Sequence, residues 1–255
     1  MFLMNSSREN AVILAAGLGS RLMPLTKDRP KCMVELFGQP ILIRMLDQLQ
    51  AVGIRHVSIV CGYRADVLRK TIGRSFHGIQ VKYVENEKYA QTNSMYSLWM
   101  AMSLLEQGGY IVEGDSICDQ RLLENLARRE SDTAYWAGRR YHGEIDGCVL
   151  TASGPQRRIV RQEIIRNPSP GEKPDQYKST GILAVSADFG RALAQWLDDD
   201  VRRGNVDIYY DLVIGKHLSE TPIHIFDIGS LPWFEVDTKE DLHEAERLFA
   251  GDKAA

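Results

Sequence analysis

Four cysteines in 255 residues, Cys32, Cys61, Cys118 and Cys148, fall singly along the chain with no Cys-x-x-Cys pair. Neither a zinc site nor a disulfide framework is signalled, and reduced thiols are the default. No apolar run approaches a membrane span, and the opening MFLMNSSREN is too short in apolar residues for a secretory leader. Positive charge is not in surplus. A formal net charge of -3 argues against a general nucleic-acid binder, though not against holding a nucleotide locally. No Pro/Gly/Ser linker, internal repeat or low-complexity segment divides the chain. No Ser-His-Asp or Cys-His pattern offers an activated nucleophile. A hydrophobic content of 44% and a charged content of 25% are those of a soluble globular protein. The expectation is one cytoplasmic domain over 1–255 with a sizeable core, no nucleic-acid partner and no membrane contact. Oligomeric state is not legible, which leaves a homodimer open.

What is present centres on Ala11 to Met33, AVILAAGLGSRLMPLTKDRPKCM. Ala11 to Ala16 is apolar, long enough for a buried parallel strand and too short for a packed helix. Gly17 and Gly19 follow, and glycine lets backbone amides turn toward a ligand without a Cβ in the way. Arg21 and Lys31 then bracket a loop punctuated by Pro24 and Pro30. A strand, a glycine turn and two cations are what a polyanion site requires. A dinucleotide fingerprint would need a third small residue where Leu22 stands, and a Walker loop would need Gly-Lys-Ser/Thr, which is missing.

Downstream, Ile41 to Val52 reads as a helix with Leu42, Met45, Leu46 and Leu49 on its apolar side, and His56 to Cys61 as a strand. Arg64 to Ile72 reads as a short helix, and Ile79 to Val84 alternates like a strand. Thr92 or Asn93 can cap a helix carrying Met95, Leu98, Trp99, Met102 and Leu105. Tyr110 to Gly114 is a further strand, with Asp115 at its carboxyl end, where open α/β sheets place ligands and where Asp also simply starts turns. This strand–helix rhythm predicts an α/β fold: a mostly parallel, Rossmann-like sheet with helices on both faces. Thr133 to Gly138, Cys148 to Ala152 and Arg158 to Ile165 lack intervening helices. They predict a small antiparallel extension laid over the mouth of the sheet and carrying an acceptor pocket. Asn167 to Asp175 (NPSPGEKPD) is a polar loop with three prolines, a candidate lid. Ser179 to Ser186 reads as a buried strand, Phe189 to Val201 and Tyr209 to Leu218 as helices. Thr238-x-x-Asp241 is a capping-box start to a last helix with Leu242, Ala245 and Leu248 inward.

GLGSR, then PLT, then RPKCM, resembles the signature of nucleotidyltransferases that join a nucleoside monophosphate to a sugar phosphate or small phosphoalcohol. Thr92-Asn93-x-x-Tyr96-Ser97-Leu98 is similar to cytidylyltransferases acting on phosphocholine and related compounds, and Trp233-Phe-Glu-Val-Asp-Thr238 resembles the family's terminal metal motif. The resemblance runs from Val12 to about Phe249 and is nearest to phosphocholine and aminoalkylphosphonate cytidylyltransferases. It implies a nucleotide half over about 11–130 and an acceptor half over about 131–249. The reaction implied is CTP plus a small phosphate or phosphonate, phosphocholine- or 2-aminoethylphosphonate-like, giving a CDP- or CMP-linked product and pyrophosphate. Asp115 and Asp237 would hold Mg²⁺, Lys31 would neutralise the α-phosphoryl charge, and Arg21 with the amides of Leu18, Gly19 and Ser20 would hold the outer phosphates. Leu14, Ala15, Ala16, Gly17, Thr92, Asn93, Ser97 and Gly114 complete the expected nucleotide site.

For the acceptor, aromatic residues Tyr135, Trp136, Tyr177, Tyr209, Tyr210 and Trp233 fall in the second half. Of these Trp136, Tyr177, Tyr210 and Trp233 are the candidates, with Lys173 and Lys178 for the acceptor's phosphate. Aromatic faces suit a quaternary ammonium, whereas a primary ammonium prefers carboxylates. Two rival readings stand: a sugar-1-phosphate nucleotidyltransferase using UTP or dTTP, and a regulator with a dead fold. The second is disfavoured because Arg21, Lys31, Asp115 and Asp237 are all retained.

Overall fold

The computed structural model describes residues 8–143, 145–171 and 173–251. Regular structure begins with β1 (Asn10–Ala15), the short ribbon β2 (Glu35–Leu36) and β3 (Gln39–Pro40), α1 (Ile41–Ala51) and β4 (His56–Cys61). Next come α2 (Ala65–Ile72), β5 (Ser75–Phe76), β6 (Ile79–Glu85), α3 (Ser94–Ala101) and β7 (Gly109–Glu113). β8 (Ser116–Cys118) and α4 (Gln120–Ala127) lead to β9 (Ala134–Arg140), β10 (Gly147–Ser153), β11 (Arg158–Ile165) and β12 (Gln176–Val185). α5 (Ala187–Arg202), α6 (Tyr210–Lys216), β13 (Ile223–Asp227), β14 (Trp233–Glu235) and α7 (Lys239–Leu248) close the chain.

One sheet of ten strands runs in the order β10-β11-β13-β9-β12-β7-β1-β4-β6-β5. Its centre is parallel, with β1 between β4 and β7. β12 then runs antiparallel to β7 on one side and β9 on the other. The antiparallel strands are continuous with the main sheet, and β10 pairs antiparallel with the start of β12 as well as with β11, so the extension closes on itself. β13 enters parallel to β9 and antiparallel to β11, which ties the extension's far edge back to the centre.

Strand β1 shows why the sheet is covered twice. Ala11, Ile13 and Ala15 belong to one hydrophobic cluster with Leu42, Met45, Leu46 and Leu49 of α1 and Leu68 of α2. Val12 belongs to the opposite cluster, with Met95 and Leu98 of α3 and Phe189 and Leu193 of α5. Side chains alternate across a strand, so a continuous apolar run buries both faces only when helices cover both. A third, smaller cluster joins Leu22, Val34, Leu36 and Ile41 to Val236, Ala245 and Phe249. Here the expected inward face of α7 needs correction: Leu248 is 40% exposed and Phe249, one residue on, is buried. The capping box itself is present, Thr238 Oγ1 accepting from Asp241 N while Asp241 Oδ2 accepts from Thr238 N. All four cysteines are buried and unpaired. Among the described residues no helix is long and apolar enough to cross a membrane. In the Asn167–Asp175 loop, Glu172 lies outside the described residues.

Candidate active site

The carboxyl end of β1 opens into a cleft of about 620 Å³. Its floor is the turn that follows β1. Gly19 sits at φ +64°, and a Cβ there would lie 2.8 Å from Cβ of Lys31, so only glycine lets the loop fold back on itself. Thr26 Oγ1 donates to the Gly19 carbonyl at 2.8 Å, closing the loop across the PLT segment. Leu22, where a dinucleotide fingerprint would have its third small residue, is fully buried and nails the loop to the third cluster. On the other flank Cys32 and Met33 are buried in the first cluster, which fixes the root of Lys31.

Two aspartates far apart in sequence meet over this loop through a short ribbon. β14 pairs antiparallel with β8, Glu235 opposite Ser116, and Val236 N donates to the Asp115 carbonyl at 3.1 Å. The ladder thus sets Asp115 and Asp237 side by side. Asp237 follows this ribbon and not a main-sheet strand, so a small two-stranded unit makes the juxtaposition. The capping box steadies Asp237, whose N–H donates to Asp241 Oδ2 at 3.0 Å. Lys31 Nζ donates to Asp115 Oδ2 at 2.5 Å and also to Asp237 Oδ1. Arg21 pairs with Asp237 at 3.0 Å from a largely exposed position.

The charges answer one another. Burial works against the Lys31 ammonium, but the Asp115 and Asp237 carboxylates outweigh it and hold it well above the ordinary lysine range. Burial raises Asp237 and the Lys31 and Arg21 charges overcome it, leaving that carboxyl below its usual range. Cys32 is pushed up to about 12 by burial and by Asp115, so its thiol stays neutral and is no nucleophile. Among the described residues no three His, Cys, Asp or Glu side chains gather as a metal cage. Asp115 Oδ1 is nonetheless buried without a hydrogen-bond partner. Two carboxylates, one with an orphaned oxygen, fit Mg²⁺, which takes one or two protein carboxylates and completes its shell with water and substrate phosphates.

At another wall of the cleft Thr92, Asn93 and Ser97 stand with Ser94 and Tyr89. Buried Asn86 Nδ2 donates to Thr92 Oγ1 at 3.0 Å and to Ser97 Oγ at 3.1 Å, so it presents both hydroxyls. Asn93 is also the N-cap of α3, its Oδ1 accepting from Ser94 N at 2.8 Å. The cleft brings together every residue of the expected nucleotide and metal set: Leu14 to Arg21, Lys31, Thr92, Asn93, Ser97, Gly114, Asp115 and Asp237. Sequence reading missed Cys32, Tyr89, Ser94 and Glu113, which also line it, and Asn86 behind it. Adjacency to Lys31 and Asp115 was the available signal for Cys32 and Glu113. Asn86 gave none, because a polar residue after a strand reads as an ordinary turn.

The acceptor residues fare differently: of the aromatic set Tyr209 lines this cleft, whereas Trp136, Tyr177, Tyr210, Trp233, Lys173 and Lys178 do not. Trp136 is fully buried, stacked on Tyr210 with ring centroids 6.4 Å apart, its Nε1 donating to Ser179 Oγ. Tyr177 is buried in the second cluster, and Trp233 donates its Nε1 to the Thr180 carbonyl. These three serve the core, because β9, β12 and β14 turn them inward. Lys173 sits over the Tyr141 ring, 5.4 Å from its centroid. Lys178, buried, pairs with Glu235 at 3.1 Å, and that carboxylate outweighs burial to raise its ammonium. Tyr210 donates its hydroxyl to Glu113 Oε1 at 3.0 Å. Burial, then the charges of Asp115, Glu235 and Asp211, push Glu113 up to about 8.

A parallel sheet whose strand ends carry a glycine loop, two cations and paired aspartates defines a phosphate-transferring α/β enzyme. The nucleotidyl transferase family model matches residues 10–139, a little over half of the chain, and the chain belongs to that family. It is 30% identical over 243 residues to CMP-5'-(3-aminopropyl)phosphonate synthase of Streptomyces rubellomurinus, covering 94% of this chain and 38% of that one. The chain thus spans well under half the length of that relative. It is 29% identical to 2-aminoethylphosphonate cytidylyltransferase of Lancefieldella rimae, covering 93% of this chain and 92% of that one. The solved CTP:phosphocholine cytidylyltransferase of Streptococcus pneumoniae superposes with a TM-score of 0.78 at 21% identity, covering 95% and 99% of the two chains. That last likeness speaks for the fold.

Proposed function

We propose that this nucleotidyltransferase transfers CMP from CTP to a small phosphate or phosphonate and releases pyrophosphate. The observation that carries the reading is the convergence of the glycine loop, Arg21 and Lys31 with Asp115 and Asp237 on one cleft. The relatives' acceptors, an aminoalkylphosphonate in two cases, support the acceptor class. The hydroxyls and amide of Thr92, Asn93 and Ser97 support cytosine or its ribose as their ligand.

The chemistry needs little from the chain beyond alignment and charge. A phosphate monoester has a second pKa near 6 and so arrives largely ionised, which removes the need for a general base. An acceptor oxygen forms a bond to the α-phosphorus. The bond from that phosphorus to the α–β bridging oxygen breaks, and its electron pair leaves with pyrophosphate. Amides of Leu18 to Ser20 and the Arg21 guanidinium hold the outer phosphates through charge-assisted hydrogen bonds. Lys31, fixed at its root, meets charge growing on the α-phosphoryl group. Asp115 and Asp237 are the residues that would hold Mg²⁺, which when bound neutralises phosphate charge. Positioning of this kind is the usual division of labour in phosphoryl-type transfer.

The test is pyrophosphate release with CTP, UTP, dTTP and ATP, each crossed with 2-aminoethylphosphonate, phosphocholine and glucose 1-phosphate. Release confined to CTP with the small acceptors is expected. Turnover of glucose 1-phosphate with UTP or dTTP above that of every CTP pair would establish the rival sugar-nucleotide reading.

A further inference from the structure

The acceptor end of the cleft is unevenly charged. Glu113 lines the cleft there, and the charges of Glu235 and Asp211 act on it. Glu235 already has its cation, Lys178 Nζ at 3.1 Å, which lies 5.4 Å from the Trp233 ring centroid. A carboxylate and an aromatic face around one ammonium form the kind of cage that recognises methylated ammonium ligands. In this chain the cage is filled from within.

The other aromatic faces of the acceptor half carry resident cations too. Arg166 lies 5.8 Å from the Tyr209 ring centroid, Arg140 lies 5.6 Å from that of Tyr177, and Lys173 covers Tyr141. Trp136 and Tyr210 face each other in the core. Each of these rings already has a cation or a second ring beside it. Glu113 is the opposite case. It lines the cleft and takes the Tyr210 hydroxyl on Oε1, and no ion pair is formed with it among the described residues. Gly181, at φ +70°, leaves room for it, since a Cβ there would lie 2.9 Å from Oε2. Glu113 stands two residues before Asp115, so their Cα atoms are at most about 7 Å apart. That is a span a short alkyl chain bridges when its phosphonate end sits at the aspartates.

Resting on the cytidylyl-transfer reading, we infer that Glu113 is a specificity-determining residue that receives a primary ammonium at the far end of the acceptor, and that a quaternary ammonium, which has no N–H to donate to it, is a poor acceptor. A compact ammonium donates up to three hydrogen bonds to a carboxylate, and trimethylation removes all of them. The chemical class is therefore an aminoalkyl phosphate or phosphonate.

The experiment compares kcat/KM of the full chain with CTP and Mg²⁺ for 2-aminoethylphosphonate, its N,N,N-trimethyl analogue and ethylphosphonate. The primary amine is expected to exceed each of the others by about tenfold or more, the scale of one hydrogen bond to a charged group. In Glu113→Gln the advantage of the amine over ethylphosphonate should shrink to within about threefold on the same scale. The wild-type series decides between amine classes even where the variant fails to fold. Equal or better turnover of the trimethyl compound overturns the inference, as does a Glu113→Gln variant that lowers amine and ethylphosphonate by the same factor. Turnover of ethylphosphonate with no preference for the amine overturns it too, while the cytidylyl-transfer reading stands. Absence of pyrophosphate release from CTP with all three overturns both.

Discussion

The two ends of the cleft manage charge in opposite ways. At the phosphate loop each carboxylate faces a cation: Asp115 meets Lys31, and Asp237 meets Lys31 and Arg21. At the acceptor end Glu113, Glu235 and Asp211 share one close cation, Lys178. The first end is balanced by exchangeable pairs at the mouth, so an incoming polyphosphate finds cations already aimed. The second holds more acids than cations, so Glu113 keeps its proton in the free protein and a cationic ligand is what would supply its counter-charge. A substrate pair with anionic phosphates at one end and a cation at the other complements both.

The largest effect should come from breaking the balanced end. Asp115→Asn or Asp237→Asn should each abolish turnover with Mg²⁺ while far-UV circular dichroism stays that of the parent. Full activity in either variant would show that the aspartates hold no ion. Next in size is the buried pair at the other end. Lys178→Ala strands Glu235, and breaking a buried ion pair from one side costs about 3–5 kcal/mol. Arg21→Ala removes an exposed partner of Asp237, where pairs contribute about 0–1 kcal/mol. Thermal unfolding of the two variants side by side should separate them, at about 2–4 °C per kcal/mol for a chain of this size. Equal melting temperatures would mean that the contrast between the two ends is not energetic.

Kinetics separate the two cations of the balanced end. Lys31→Ala should lower kcat by about 10²–10³, the cost of losing one preorganised donor to transition-state charge. Arg21→Ala should instead weaken KM for CTP, since outer phosphates are held in ground and transition states alike. If Lys31→Ala changes KM alone, the lysine is a binding residue.

The same contrast explains what could be read from the chain beforehand. The phosphate end is built from one contiguous stretch, Leu14 to Lys31, whose glycines, prolines and cations each carry a local meaning, and Leu14 to Arg21 together with Lys31 line the cleft. The parallel centre was legible for a similar reason, since β1 and β4 are short apolar runs with helices between them. The acceptor end is assembled from β7, β12, α6 and β14, more than a hundred residues from first to last. Aromatic residues there, such as Trp136 and Tyr177, are turned into the core by strand pairings that no local pattern specifies. How the antiparallel extension joins the main sheet was not legible either, because β12 lies between β9 and β7 through contacts remote in sequence. Glu113 stood inside a strand ending, YIVEG, where an acid reads as a solvent-facing residue.

A smaller effect tests the nucleoside wall. CTP at 100 times its Kd stabilises the fold by about 2.7 kcal/mol, which moves the melting temperature visibly. UTP, dTTP and ATP at the same concentration in Mg²⁺ should give clearly smaller shifts if Thr92, Asn93 and Ser97 read cytosine. Equal shifts with all four would leave this wall a ribose or packing surface only.

A pH profile of stability measures the imbalance itself in the free protein. Burial, followed by the like charges of Asp115, Glu235 and Asp211, lifts Glu113 from 4.5 to about 8, with Lys178 opposing weakly. Between those values the folded chain holds a proton that the unfolded chain has released. Stability therefore falls as pH rises through this window, and it is flat above it. The contribution is fully present below pH 4.5 and lost above about 8. Glutamine keeps the acceptor for the Tyr210 hydroxyl and cannot ionise. Glu113→Gln should then melt with the parent near pH 5 and above it near pH 9. One pH unit of displacement is already about 1.4 kcal/mol, or about 3–6 °C at the 2–4 °C per kcal/mol used above. A melting difference that is the same at both pH values would mean that Glu113 has its counter-charge before any acceptor arrives. The two ends of the cleft would then be alike.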